Sequence, residues 1–332
     1  MIYYDRIYGK IEIKEPVILE LIKSSPLQRL KAIDQAGYFL YFWYPDAKDY
    51  QSFSRFEHSL GVYILLKKYQ APLEEQIAGL IHDVSHSAFS HCIDYALDEG
   101  SEKNHTHQDN IFEEFVNHSK IPSILEKYQI DIDFILNEKN FPLKEKPLPE
   151  LCADRIDYSL RTALLFKEIN KKSADYFLDN LITINNRWVF KNFENAKKFA
   201  ELFLKMNRVY YAGLQSAVMF RTVGDILKYS LEKGFLQKTD LYTTDQEVLE
   251  KIKENLKDDK KLKLLWQRMN NKIKFKNSPK NYHSRVFCKS RIIDPLFKTK
   301  NQIKRLSEVD KNWLKIVKEE SKPKEYFIKF EK

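Results

Sequence analysis

The 332 residues are 43% hydrophobic and 31% charged with a net charge of +9, which excludes a disordered chain and supplies a large core. Only 8 glycines stand against 22 Phe and 19 Tyr, which disfavours Gly-rich phosphate loops and a turn-rich β sandwich and favours helices. No apolar run reaches the roughly 18 residues of a membrane helix. Residues 1–10 lack the apolar run of a signal peptide, and three cysteines share no CxxC spacing, so the expected location is the cytoplasm.

Along the chain, residues 2–14 alternate apolar and polar around Gly9, which predicts a hairpin. Val17–Lys23 and Pro26–Gln35 read as helices, the second ending near Gly37. Residues 38–54 are aromatic-rich and broken by Pro45, so an irregular loop over the site is expected. Helical patterns follow over Arg55–Tyr69, Leu73–Asp83, Ser90–Leu97, His107–Phe115, Ile121–Leu136 and Glu150–Ile169. Leu181–Phe190 reads as a hairpin turning at Asn185-Asn186, and Glu194–Lys233 as one long helix ending at Gly234. After that come charged helices over 245–275, strands over 283–296 and 325–330, and a helix over 307–319.

A boundary is placed near 235, giving domains 1–235 and 236–332. The basic charge belongs to the later part. From Lys251 to Lys332 there are 25 Lys and Arg and 10 Asp and Glu, a charge of +15, and the first 250 residues carry −6. Such a segment either contacts nucleic acid or another polyanion, or simply presents solvated lysines.

Seven of the eight histidines lie between positions 58 and 118. His82 and Asp83 are adjacent at the end of a predicted helix, so both can face one ion placed near that end. His58 on the preceding helix and Asp154 on a later one complete a set of two imidazoles and two carboxylates. This mixed donor set suits Mn, Fe, Co, Ni or Zn better than Ca, with Mg also admitted, at one divalent ion per site. His86 lies one turn after His82, and Asp94 is spaced to orient His91. His107 opens the next helix. These further histidines are candidate proton donors or phosphate contacts. His105 and His118 match no pattern.

The runs Arg55-Phe-Glu-His58, His82-Asp83-Val-Ser-His86 through His91, and Asp154-Arg-Ile-Asp157-Tyr158 resemble the signature of HD-domain phosphohydrolases. The resemblance is nearest to the branch containing dGTP triphosphohydrolases and the SAM-and-HD-domain dNTP triphosphohydrolases. Leu27–Gly37 fits that branch too, and Arg291–Pro295 with Arg305–Glu308 is similar to its shorter bacterial and archaeal members. The resemblance implies a mostly α fold: an HD-domain helical bundle with small β-hairpins and a small C-terminal α+β subdomain.

It also implies roles. His58, His82, Asp83 and Asp154 would bind the metal. His86, His91, Asp94 and His107 would line the phosphate and leaving-group side, with His91 or His107 as proton donor. Arg55 and Arg155 would contact phosphates, Tyr158 would pack on the sugar and Gln35 would meet the base or sugar edge. The expected substrate is a dNTP cleaved to deoxynucleoside and triphosphate, by a homodimer or higher homo-oligomer. Two alternatives stand beside it: a phosphomonoesterase or phosphodiesterase on another nucleotide or oligonucleotide, and a nucleic-acid-binding protein with a regulatory HD site.

Overall fold

The computed structural model describes residues 1–43 and 52–331. The fold is mostly α, with three small sheets. The N-terminal hairpin pairs Ile2–Asp5 with Gly9–Glu12, and Gly9 takes the left-handed φ of +75° that the turn requires. Pro16–Lys23 is helical, with Pro at its first turn. The helix expected over Pro26–Gln35 is shorter. Ser25–Arg29 is α-helical and Leu30–Ala32 is a 3₁₀ turn. Ile33 is then extended, and Asp34 bridges to Ser54. Part of the expected aromatic loop is also helical: Phe39–Trp43 buries Phe39 and Phe42. Pro45 lies outside the described residues.

Three helices carry the histidine and aspartate motifs. Arg55–Lys68 starts with a reciprocal cap between Ser54 and Glu57, and it is buried along most of its length. It packs against Leu73–Ile81 on one side and Ala153–Leu165 on another. The second contact passes over Gly61, where a Cβ would overlap the side chains of Asp157 and Arg161. The helical pattern over Ile121–Leu136, which left one helix or two open, is two helices, Ile121–Lys127 and Ile132–Leu136.

The long helix expected over Glu194–Lys233 is two helices, Phe193–Met206 and Leu214–Glu232, separated by a π turn at Asn207–Tyr211. The break has a side-chain cause. Asn207 is fully buried, and its amide bonds the segment at Ser290 and Arg291. Gly224 lets the second helix lie directly on the Tyr95 backbone.

In the C-terminal part, Lys324–Phe330 lies between Phe275–Asn277 and Ser284–Cys288 in an antiparallel sheet. The strand expected over 283–296 therefore stops at Cys288. It resumes as Leu296–Lys298, which pairs in parallel with Arg187–Phe190 of the predicted hairpin. One buried apolar cluster contains Phe39, Phe89, Val218, Val286 and Ile328, so the core is continuous across residue 235. Among the described residues no helix is long and apolar enough to cross a membrane.

Gly224→Val should lower the urea-unfolding free energy by about 1–3 kcal/mol, because the added carbons meet the Tyr95 backbone at a fixed helix contact. Equilibrium denaturation followed by circular dichroism checks this.

Candidate metal centre and active-site cavity

His82 and Asp83 follow directly on the helix Leu73–Ile81, with His82 as its C-cap. His82 Nδ1 lies 2.7 Å from the Gly79 carbonyl, which can only accept, so Nδ1 carries the hydrogen and Nε2 presents its lone pair. The same logic applies to His58: its Nδ1–H donates to Asp157 Oδ2 at 2.8 Å. The two Nε2 atoms converge to 3.2 Å. Asp154 Oδ1 lies 2.9 Å from one and 3.6 Å from the other. Asp83 Oδ1 is 3.4 Å from His82 Nε2. Two imidazole nitrogens and two carboxylates around one point, with a cation able to displace the proton that His58 Nε2 shares with Asp154, fit a divalent ion. His58, His82 and Asp154 place ligand atoms within 4.8 Å of one another.

Behind the imidazole of His58 lies a buried chain of charges. Asp157 also accepts from Arg161 Nε (2.7 Å) and from the Tyr8 hydroxyl (2.8 Å). Arg161 Nη2 in turn donates to Asp5 Oδ2 at 2.7 Å. The Asp5, Asp157 and Arg161 side chains are all 0% exposed. Burial alone would lower the His58 pKa, but Asp154 and Asp157 outweigh it and raise it to about 9. Burial opposes the charge on Asp83 as well, yet Arg55 and the neighbouring imidazoles hold its carboxyl well below the usual range.

The centre opens into a cavity of about 700 Å³. His82, Asp83, Asp154, His86, His91, Arg55, Gln35, Arg155 and Tyr158, all expected at the site, line it. His86 is buried, with Nε2 3.4 Å from Asp83 Oδ1, and burial together with Arg55 lowers its pKa to about 4. His91 is held well below the ordinary histidine range by burial, then by His86 and Arg55. The hydroxyl of Tyr158, the Oε1 of Gln35 and the Nδ1 atoms of His86 and His91 are buried without a protein hydrogen-bond partner among the described residues.

Four expected roles meet a different arrangement. His107 does not line the cavity, and its Nε2 lies 2.9 Å from the Tyr242 hydroxyl. Asp94 is also outside the lining: its Oδ1 accepts the backbone N–H of His107 and of Ser101, while His91 Nδ1 stays 3.7 Å from Oδ2. His105 takes the wall position instead. Its φ of +52° turns the chain there, and its ring stacks on His91 at 4.9 Å.

Arg55 is committed to Asp83 (2.7 Å), Ser90 Oγ (2.7 Å) and the Gln35 carbonyl (3.2 Å), so it orients a carboxylate. Arg155 is tied to Glu145 at 2.9 Å and to Cys152 Sγ at 2.8 Å.

Sequence reasoning missed several residues. Asp157 was named within its motif but given no role, and its i,i+4 spacing to Arg161 was a signal, whereas Asp5 and Tyr8 come from a hairpin about 150 positions away and had none. Phe89 and Ser90 are both left-handed, a conformation costly for residues with a Cβ. Asp245 Oδ1 holds the turn at the Phe89 N–H (2.7 Å), and it delivers His91 to the wall. Lys289 and Arg291, from the basic C-terminal part, also line the cavity.

Comparison with known proteins fits this arrangement. A family profile described as the HD domain matches residues 55–162. An uncharacterized protein of Bacillus subtilis, YdhJ, is 39% identical over 79% of this chain and 78% of its own length. The metal-dependent phosphohydrolase cns2 of Cordyceps militaris is 30% identical over 70% of this chain and 67% of its own. The deoxynucleoside triphosphate triphosphohydrolase SAMHD1 of Gallus gallus is 30% identical over 66% of this chain, which spans 38% of that longer protein. A solved phosphohydrolase from Bacteroides thetaiotaomicron superposes over 100% of both chains with a TM-score of 0.72 at 20% identity, a likeness of fold.

Asp157→Asn should weaken divalent-metal binding roughly ten- to a hundredfold, although Asp157 stands behind His58. Competition with a fluorescent chelator reads the change, and unaltered affinity would count against the relay. A proton and a cation compete for His58 Nε2. With its pKa raised to about 9, metal affinity should climb with pH through the neutral range and level off above about 9.

Proposed function

The chain belongs to the HD-domain metal-dependent phosphohydrolases, and on that premise we propose that it hydrolyses deoxynucleoside triphosphates to deoxynucleoside and triphosphate. One observation carries the reading. A single cavity joins His82, Asp83 and Asp154, which cluster with His58, to a histidine wall, to aromatic rings and to cations with no carboxylate within ion-pair distance among the described residues. His58, His82, Asp83 and Asp154 would hold a divalent ion, which would supply Lewis acidity toward water and toward a phosphoryl oxygen.

The rest falls to the protein. Arg55 fixes the Asp83 carboxylate and keeps it ionised. Of the two expected donors only His91 lines the cavity, so it is assigned to pass a proton to the departing 5′-oxygen as the bond from that oxygen to the α-phosphorus breaks, while water supplies the new oxygen on phosphorus. Burial keeps His91 neutral in the unliganded protein. A polyanion seated beside it reverses the local field and favours the imidazolium, so the substrate itself arms the acid. Tyr158 and Tyr211, whose rings meet edge to face at 5.4 Å, wall the sugar side, and the unpaired Oε1 of Gln35 awaits a donor on the base or sugar.

A second reading is a phosphomonoesterase or phosphodiesterase on another nucleotide. It is favoured by the commitment of Arg55 and Arg155 to carboxylates, which removes two cations from a triphosphate's reach.

Manganese-loaded protein incubated with each of the four dNTPs should release deoxynucleoside and tripolyphosphate in equal amounts. Asp154→Ala should abolish both metal retention and turnover. Orthophosphate as the product, or absence of turnover with any dNTP, would refute the first reading, and turnover of other nucleotide mono- or diesters would support the second.

A further inference from the structure

Among the cations that line the cavity, three have a carboxylate partner. Arg55 pairs with Asp83, Lys144 with Glu138 and Arg155 with Glu145. Lys289 and Arg291 have no carboxylate within ion-pair distance among the described residues, although both are half-buried on the same wall. Like charges two residues apart and partly out of water are costly unless an anion offsets them. Burial and then Arg291 lower the Lys289 pKa to about 8, although Asp109 and Glu145, beyond ion-pair distance, act the other way.

The segment that carries them is clamped. Asn207 Oδ1 accepts the Arg291 backbone N–H at 2.8 Å, and Asn207 Nδ2 donates to Ser290 Oγ at 3.0 Å and to Glu320 Oε2 at 3.2 Å. Glu320 is buried nearby but is occupied by Arg208 (2.8 Å) and Lys324 (2.9 Å), so it leaves the two cations to the cavity. Both act on His91 and His105 through space and oppose protonation of those rings. Lys289, Arg291, His91 and His105 line the same cavity.

We propose that Lys289 and Arg291 form the subsite for the phosphate chain beyond the phosphorus attacked, so that this wall selects polyphosphate over monophosphate substrates. The inference rests on the triphosphohydrolase reading above. A planar guanidinium matches phosphoryl oxygens in bidentate fashion and the ammonium adds a mobile point charge. Lys146, which also lines the cavity with no carboxylate within ion-pair distance among the described residues, extends the positive field toward the opposite loop.

The test measures tripolyphosphate and orthophosphate binding to manganese-loaded protein by calorimetry. Lys289→Ala and Arg291→Ala should each weaken tripolyphosphate roughly ten- to a hundredfold, with a smaller loss for orthophosphate. Lys315→Ala, which removes the same charge from an exposed helix position, should change neither. Arg291→Lys keeps the charge without the fork and should fall between wild type and Arg291→Ala.

Equal tripolyphosphate affinity in wild type and both alanine variants overturns the subsite, as does failure of the wild type to bind tripolyphosphate. If affinity falls in the variants but dNTPs yield no tripolyphosphate, the subsite stands and the triphosphohydrolase reading fails.

Discussion

The buried chain Asp5–Arg161–Asp157–His58 is the constraint on which the centre depends. It ties the N-terminal hairpin to the helices Arg55–Lys68 and Ala153–Leu165 through groups with no access to water. Two carboxylates against one guanidinium leave an excess negative charge directly behind the His58 ring. That charge fixes the Nδ1–H tautomer and makes Nε2 a stronger donor toward a cation. Breaking such a chain at one member leaves another charge buried and unpaired, at a cost of about 3–5 kcal/mol. Gly61 belongs to the same constraint, since any side chain there would occupy the space of Asp157 and Arg161.

Toward the cavity the charges divide into two groups. Those closest to the ion-binding cluster are neutralised by one another, Arg55 by Asp83 and Arg155 by Glu145, and act by holding geometry. Those on the C-terminal segment, Lys289 and Arg291, are held by backbone and amide contacts that leave their charge unspent. The first arrangement preorganises a centre and the second attracts an anion to it. The continuous core across residue 235 lets one chain supply both.

The candidate cluster of His58, His82, Asp83 and Asp154 was suggested by the adjacent His82-Asp83 at a helix end and by a histidine and an aspartate in the first turns of two other helices. The mostly α architecture was legible from apolar periodicity and scarce glycine. Other features depend on contacts no local pattern encodes. His105 rather than His107 faces the cavity because a left-handed φ at His105 turns the chain. The helix over 194–233 breaks at Asn207 because that amide is used by a segment about 80 positions later. Lys289 and Arg291 were hidden in a basic stretch whose other lysines are mostly surface groups. Asp5 and Tyr8 sat in a hairpin with no chemical signature of its own.

Anomalous diffraction from crystals of the metal-loaded protein with a non-hydrolysable dNTP analogue tests the central claim most directly. The account predicts one strong peak about 2.0–2.2 Å from His58 Nε2 and His82 Nε2, within reach of the Asp83 and Asp154 carboxylates, with the analogue's phosphates in the adjoining cavity. A peak instead between Glu145 and Cys152, the other group of ligand-type side chains adjoining Asp154, or no peak within reach of His58, would contradict it.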